Sequence, residues 1–265
     1  MLQAAENAVE ELVSTAEDAL VVQSVEPGRA IALSLIVPTL NEVENIASLL
    51  RSVHSQLWAV LGDAFEILVV DDDSPDGTWQ AAEAAMQRLP GLRVLRRTCE
   101  RGLATAVIRG WQLARGEWLG TLNADFQHPP EILPRMLALT AEADLVVASR
   151  YCANGSVGNW NLYRRVASRM AYTLGALLVP PVFRRVTDPL SGYYLVRRAA
   201  IAGVDFHPAG YKTLIEVLAT GGVTRIAETG YRFGIRRAGR SKAVPEQYWL
   251  YLRHLGRLRR ALDGN

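Results

Sequence analysis

Asp125 and Gln127 stand two positions apart in the stretch TLNADFQHPPE, residues 121–131. In extended backbone that spacing turns both side chains to the same side. A carboxylate and an amide carbonyl so placed offer two hard oxygens to one ion, the donor type that Mg²⁺ and Mn²⁺ prefer. A divalent cation held there would bridge the phosphates of a nucleoside diphosphate and stabilise the charge that gathers as such a group leaves. Two acids are expected in a loop of this kind, and it offers one clear carboxylate, Asp125. The competing reading is local. Asp125 then satisfies nearby backbone N–H groups while Pro129 and Pro130 open a helix. His128 is expected to pack or cap rather than to bind metal.

A second polar cluster, VVDDDSPDGT (69–78), follows another apolar run. Its carboxylates can accept ribose hydroxyls or base N–H groups. The same letters also make turns, and Asp76 is placed to cap the next helix. The coincidence of this cluster with PTLNE (38–42), at the end of the preceding apolar run, favours binding over turn chemistry alone.

The elements that must position these loops alternate in type. IALSLIVP, FEILVV, LRVLRR, EWLGTL and ADLVVAS read as five strands, and the first is a continuous apolar run of the buried parallel kind. Between them lie helical patterns, among them Ile46, Leu49, Leu50 and Val53, then an Ala-rich segment, then GLATAVIRGWQLARG. Such alternation argues for a parallel sheet with crossover helices, in which ligands bind beyond the carboxyl ends of the strands. PTLNE, DDDSPDGT and NADFQHPPE occupy those ends. After residue 150 the pattern loosens into a helix near 160–178, the strand-like YYLVRR, a helix from about 210, and RIAETGYRFGIRR. One main domain is expected, over residues 30–243, with an acidic helical extension before it (1–29) and a basic amphipathic helix after it (244–265).

Bulk composition, 49% hydrophobic and 21% charged, excludes disordered and fibrous classes. The net charge of +2 hides an asymmetry, −5 over residues 1–30 against +7 over 225–265, and the basic tail calls for an anionic partner. Cys99 and Cys152 have neither metal-site nor disulfide-framework spacing, which fits a reducing compartment. No signal peptide is read, and no run approaches the roughly 20 apolar residues of a membrane span. Lysine is scarce: 27 arginines accompany only Lys212 and Lys242, which suggests two positions where a compact ammonium serves better than a planar fork.

Taken together and in order, VPTLNEVENI, VVDDDSPDGT, ADFQHPPE, SRY, DPLSGYYLVRR, GYK and FGIRRAGRSK resemble the dolichol-phosphate mannose synthases, polyprenyl-phosphate transferases of glycosyltransferase family 2. The match covers about residues 31–245. The resemblance implies an α/β protein of GT-A fold, a mainly parallel Rossmann-like sheet flanked by helices. It implies an inverting transfer of mannose from GDP-mannose to a polyprenyl, dolichyl-type monophosphate, with Mg²⁺ or Mn²⁺ as cofactor. By motif position, Pro38, Leu40, Glu42, Val70 and Asp72 line the nucleoside pocket. Asn123 and Ala124 flank ribose and diphosphate, Asp125 and Gln127 hold the metal, and Arg150 and Arg164 receive the acceptor phosphate. Arg236 and Lys242 belong to the loop that closes over the nucleotide phosphates; Asp125, Arg150, Arg236 and Lys242 are the catalytic set. The chain departs from the family at Leu40, commonly Tyr, and at Asn123, commonly Asp.

An anionic acceptor phosphate needs no strong general base, so Asp188 in TDPLSGYY is expected to orient rather than to deprotonate. Tyr248, Leu252, Leu255, Leu258 and Leu262 recur at helical spacing beside Arg253, Arg257 and Arg260, a pattern suited either to an anionic bilayer surface or to packing on the domain. The expected partners are the donor, a membrane lipid phosphate and a membrane-anchoring subunit, with attachment to the cytoplasmic face of a membrane. Nucleic acid is not expected, because the positive charge coincides with the phosphate motifs. Two other readings stay open: the same reaction with UDP-glucose or another nucleotide sugar, and a catalytically silent nucleotide-binding subunit of a membrane complex.

Overall fold

The computed structural model describes residues 18–21, 30–207, 212–236 and 245–263. Leu33–Thr39 (β2) and Phe65–Asp71 (β3) are buried along their whole length, so both faces of the sheet centre are covered, as their unbroken apolar runs require. With Leu92–Arg97 (β4) and Trp118–Thr121 (β5) they make a parallel block in the order β4-β3-β2-β5. Leu145–Ser149 (β6) and Ile226–Gly230 (β8) continue the sheet, joined to the block through Tyr194–Arg197 (β7). β7 runs antiparallel to both its neighbours, β5 and β6. Asp18–Val21 (β1) pairs antiparallel with β4 at the far edge, so this part of the acidic extension is strand where the sequence suggested helix.

Helices cover both faces. Val43–Leu61 (α1) seats Ile46, Leu49, Leu50, Val53 and Leu57 in the first core, beside Thr78–Met86 (α2) and Leu133–Ala138 (α4). The opposite core gathers Leu103–Leu113 (α3), Pro180–Phe183 (α6) and Thr213–Thr220 (α7). Leu162–Leu178 (α5) leans on α6, and Pro245–Asp263 (α8) packs on α5 and α7. Leu255 and Leu258 of α8, with Tyr251, belong to the second core. Of the two readings open for the apolar stripe, packing on the domain holds for Leu255 and Leu258, while Leu252 stays exposed. Burying each of these leucines rather than leaving it in water stabilises by about 1.5–3 kcal/mol. Trp249 and Leu252 remain exposed, while the side chain of Tyr248 lies outside the described residues.

Candidate active site

The carboxyl ends of β2, β3 and β5 open on one side of the sheet, and the three polar loops meet there. Each loop holds one non-glycine residue in the left-handed region: Asn41 (φ 53°), Asp73 (φ 55°) and Phe126 (φ 60°). For the bulky Phe126 this is a strained conformation, about 1–3 kcal/mol, of the kind that gathers at functional sites. Pro38 and Val70 are register partners on adjacent strands, so the two motif positions expected to flank a nucleoside do lie side by side.

Part of the acidic loop works as turn chemistry. Asp71 accepts from Thr39 Oγ1 (2.7 Å) and from the backbone and hydroxyl of Ser74 (2.8 and 2.7 Å). Asp76 accepts from the Thr78 N–H and hydroxyl and from the Val43 N–H. Asp72 is different. Its buried carboxylate holds Arg97, with Nε at 2.8 Å, and accepts the Gly102 N–H at 2.7 Å. Burial pushes the Asp72 carboxyl up, against the pull of Gly102 N–H and Arg97. It thereby ties the β3 loop to the start of α3.

Asp125 is 4% exposed and Glu42 6%, and both face one guanidinium. Arg236 Nη2 lies 2.7 Å from Asp125 Oδ2, and Nη1 lies 3.4 Å from Glu42 Oε1. Asp125 Oδ1 accepts the Gln127 N–H at 3.0 Å, and Glu42 Oε2 accepts from Asn45 at 2.8 Å. Burial raises the Asp125 carboxyl, opposed by Arg236. Gly234 explains how Arg236 arrives: its N–H donates to Gln127 O at 2.9 Å, and a Cβ there would stand 2.4 Å from Phe126 O. Only glycine lets the segment after β8 lie this close to the loop.

Among the described residues no group of three or more His, Cys, Asp or Glu side chains is gathered around a metal position. The donor set nonetheless suits a hard cation that a diphosphate also ligates, because the Asp125 carboxylate already holds a positive group. The loop is not extended here: Phe126 is left-handed between Asp125 and Gln127, so the same-side placement expected of an extended strand does not apply, and Gln127 reaches Asp125 through its backbone N–H. His128 is no part of the donor set. It is buried, stacked on Tyr193 at 5.2 Å, and accepts the Asn123 N–H on Nδ1. Burial and the neighbouring Arg150 and Lys212 charges push it down to about 3, so it stays neutral.

The second half of the site is cationic. Arg150, at the end of β6, binds Asp188 through Nε and Nη2, both at 2.7 Å, and through its backbone N–H. Arg164, in the first turn of α5, is exposed. Both guanidinia lie over the rings of Trp160 (5.1 and 4.4 Å) and Phe233 (5.5 and 5.1 Å). Lys212 Nζ donates to Leu190 O at 2.6 Å. Burial and the Arg150 charge lower this ammonium to about 7.

A family model described as "Glycosyl transferase family 2" matches residues 34–202, well over half of the chain. The chain belongs to that family. The likeness to dolichol-phosphate mannose synthases holds as well. A dolichol-phosphate mannosyltransferase of Pyrococcus furiosus is 40% identical over 85% of this chain, which spans 63% of that relative's length. The enzyme of the same name from Mycosarcoma maydis is 34% identical over 86% of this chain and 79% of its own. Among solved structures, glucosyl-3-phosphoglycerate synthase from Mycobacterium tuberculosis with Mn²⁺ and UDP-glucose superposes with a TM-score of 0.63, at 26% identity over 88% of this chain and 79% of that one. The fold is that of the GT-A glycosyltransferases, as the sequence implied.

Within this family 2 domain the motif residues fall into two groups. Glu42, Asp125 and Arg236 are brought into contact, and Gln127 and Ala124 lie in the same buried loop. Arg150 and Arg164 share one aromatic platform, yet Arg150 spends its fork on Asp188 and Arg164 is the one turned outward. Asn123 and Leu40 are half-buried at the rim. Lys242 lies outside the described residues. Sequence reading missed Trp160 and Phe233. Aromatic residues close to arginines, in NWNLYRR and YRFGIRR, were the available signal.

Proposed function

We propose that the chain is a polyprenyl-phosphate mannosyltransferase, moving mannose from GDP-mannose to a polyprenyl monophosphate with inversion at the anomeric carbon. The observation that carries this reading is the adjacency of two unlike charge clusters: Glu42, Asp125 and Arg236 at the strand ends, and Arg150, Arg164 and Lys212 beside them. The relatives named for dolichol-phosphate and polyprenol mannose transfer support the same chemistry.

Asp125 and Gln127 would hold Mg²⁺ or Mn²⁺, which supplies Lewis-acid neutralisation of the departing diphosphate. By motif position, Pro38, Leu40, Glu42, Val70, Asp72, Asn123 and Ala124 are assigned to the nucleoside and ribose side, although Val70 is wholly buried in the second core. Arg164, braced on Trp160, receives the acceptor phosphate, and Arg150 sets the positive field behind it. An acceptor phosphate oxygen attacks the anomeric carbon directly. Asp188 accepts Arg150 on both oxygens, which removes it as a base and makes it the holder of that arginine.

Access for a lipid follows from α5. Leu162, Tyr163, Met170 and Leu177 are 67–77% exposed, with Val166 between them, and the helix carries Arg164, Arg165 and Arg169. An apolar helix face flanked by arginines suits an anionic bilayer surface, and here it starts at the arginine that takes the phosphate. Among the described residues no helix is long and apolar enough to cross a membrane. Peripheral attachment at a cytoplasmic membrane face is the corresponding proposal.

The test is transfer of label from GDP-mannose to polyprenyl phosphate, with and without Mn²⁺ or Mg²⁺. The similar synthase crystallised with UDP-glucose keeps a second donor in play. Transfer from UDP-glucose with none from GDP-mannose would reverse the donor assignment. Nucleotide binding without transfer from any donor would mark a silent subunit.

A further inference from the structure

We infer that Arg236 is an exchangeable counter-ion, which a metal ion must displace from Asp125 and which the donor diphosphate then takes up. The inference rests on the proposed metal role of Asp125 and adds how metal and donor are linked. Asp125 Oδ2 is held by Arg236 Nη2 at 2.7 Å, and Oδ1 by the Gln127 N–H at 3.0 Å. Both oxygens are therefore engaged, in a carboxylate that is almost wholly buried. A divalent ion placed on Oδ2 would stand next to a guanidinium in a poorly screened site, where like charges repel strongly. One of the two must give way.

Arg236 is built to move, whereas Asp125 is not. The Asp125 loop is fixed by its own backbone bond and by burial in the core cluster of Ala124 and Phe126. The Arg236 backbone is pinned two residues earlier, at Gly234, while its side chain keeps 22% of its surface. Its second partner, Glu42 at 3.4 Å, is the looser contact. Once off Asp125, the guanidinium retains Glu42 at 3.4 Å, and its freed Nη2 is open to a second anion. A diphosphate bound beside Asp125 would offer oxygens in the fork geometry that arginine prefers.

The consequence is reciprocal coupling. Metal alone binds at the cost of Arg236's closer ion pair; metal with diphosphate replaces it. Each ligand must then tighten the other, by a factor that linkage makes equal in both directions.

The experiment titrates Mn²⁺ by its paramagnetic resonance signal, alone and with saturating GDP or UDP, and so needs no turnover. Wild-type protein is expected to bind Mn²⁺ weakly alone and at least tenfold more tightly with nucleotide. Arg236→Gln is expected to bind Mn²⁺ alone roughly tenfold more tightly than wild type and to lose about tenfold of the nucleotide effect, the remainder coming from phosphate oxygens on the ion itself. Arg236→Lys, which keeps a cation at the site, should stay near wild type, and thermal melts verify that each variant folds. Unchanged Mn²⁺ affinity and unchanged coupling in Arg236→Gln would overturn the inference while leaving the metal site standing. No Mn²⁺ binding in wild type with nucleotide, or binding unaffected by Asp125→Asn, would bring down the metal assignment itself and the inference with it.

Discussion

The two halves of the site solve opposite electrostatic problems. On the strand-end side the buried acids Glu42, Asp72 and Asp125 face two arginines, Arg97 and Arg236, so negative charge is in excess. On the α5 side Arg150, Arg164 and Lys212 face one buried carboxylate, Asp188, and positive charge is in excess. An anion entering the first half must bring a cation with it. An anion entering the second needs none. That difference explains why one substrate of the proposed reaction is a metal-bound diphosphate and the other a bare phosphate monoester.

The largest effect should come from Asp188, the buried acid that holds Arg150. Asp188→Ala leaves Arg150 buried without its partner, and breaking such a pair costs about 3–5 kcal/mol. A denaturant midpoint close to wild type would show that the aromatic platform alone can hold the guanidinium. Next comes the other half. Asp125→Ala is expected to slow transfer by roughly 10²–10³-fold, about 3 kcal/mol, the usual loss when a transition-state charge loses its stabiliser. Turnover within a few-fold of wild type would take Asp125 out of the site.

Lys212 tests the positive field by its pH dependence. Burial and Arg150 lower it to about 7 from 10.5, so between those values the unfolded chain binds more protons than the folded one. Stability should therefore rise with pH across this window and level off above it, with a constant penalty below 7. Lys212→Met should flatten the rise in a series of denaturant titrations; a slope identical to wild type would assign it to another group. The smallest effect is expected at the outer face of α5. Leu162→Glu with Met170→Glu should reduce flotation with anionic vesicles several-fold and leave nucleotide binding intact. Equal flotation would turn attention to Trp249 and Leu252 of α8.

The central strands and their loops were legible because a strand buried on both faces must be an unbroken apolar run, and β2 and β3 are. The direction of β7 was not, since YYLVRR reads the same in either sense and its pairing is settled by β5 and β6. Asp188 was readable as an orienting group, but its partner was not. Glu42 and Arg236 stand 194 positions apart, and only the fold reveals that they share a pair with Asp125. The C-terminal stripe leaves two readings open. Helical spacing identifies an apolar face without naming what covers it, and for Leu255 and Leu258 the cover is the protein's own core.

The short strand β1 has a consequence for solution behaviour. It lies along β4, which would otherwise be the sheet's outer member with a row of open backbone donors and acceptors. A bare edge of that kind recruits strands from other molecules. With β1 in place the outer member is a strand of four residues instead of six, and a shorter edge offers fewer open groups. Removing residues 1–29 should leave nucleotide binding in place while light scattering grows with protein concentration, and a truncated protein that stays monodisperse would show that the arginines of β4 protect the edge unaided.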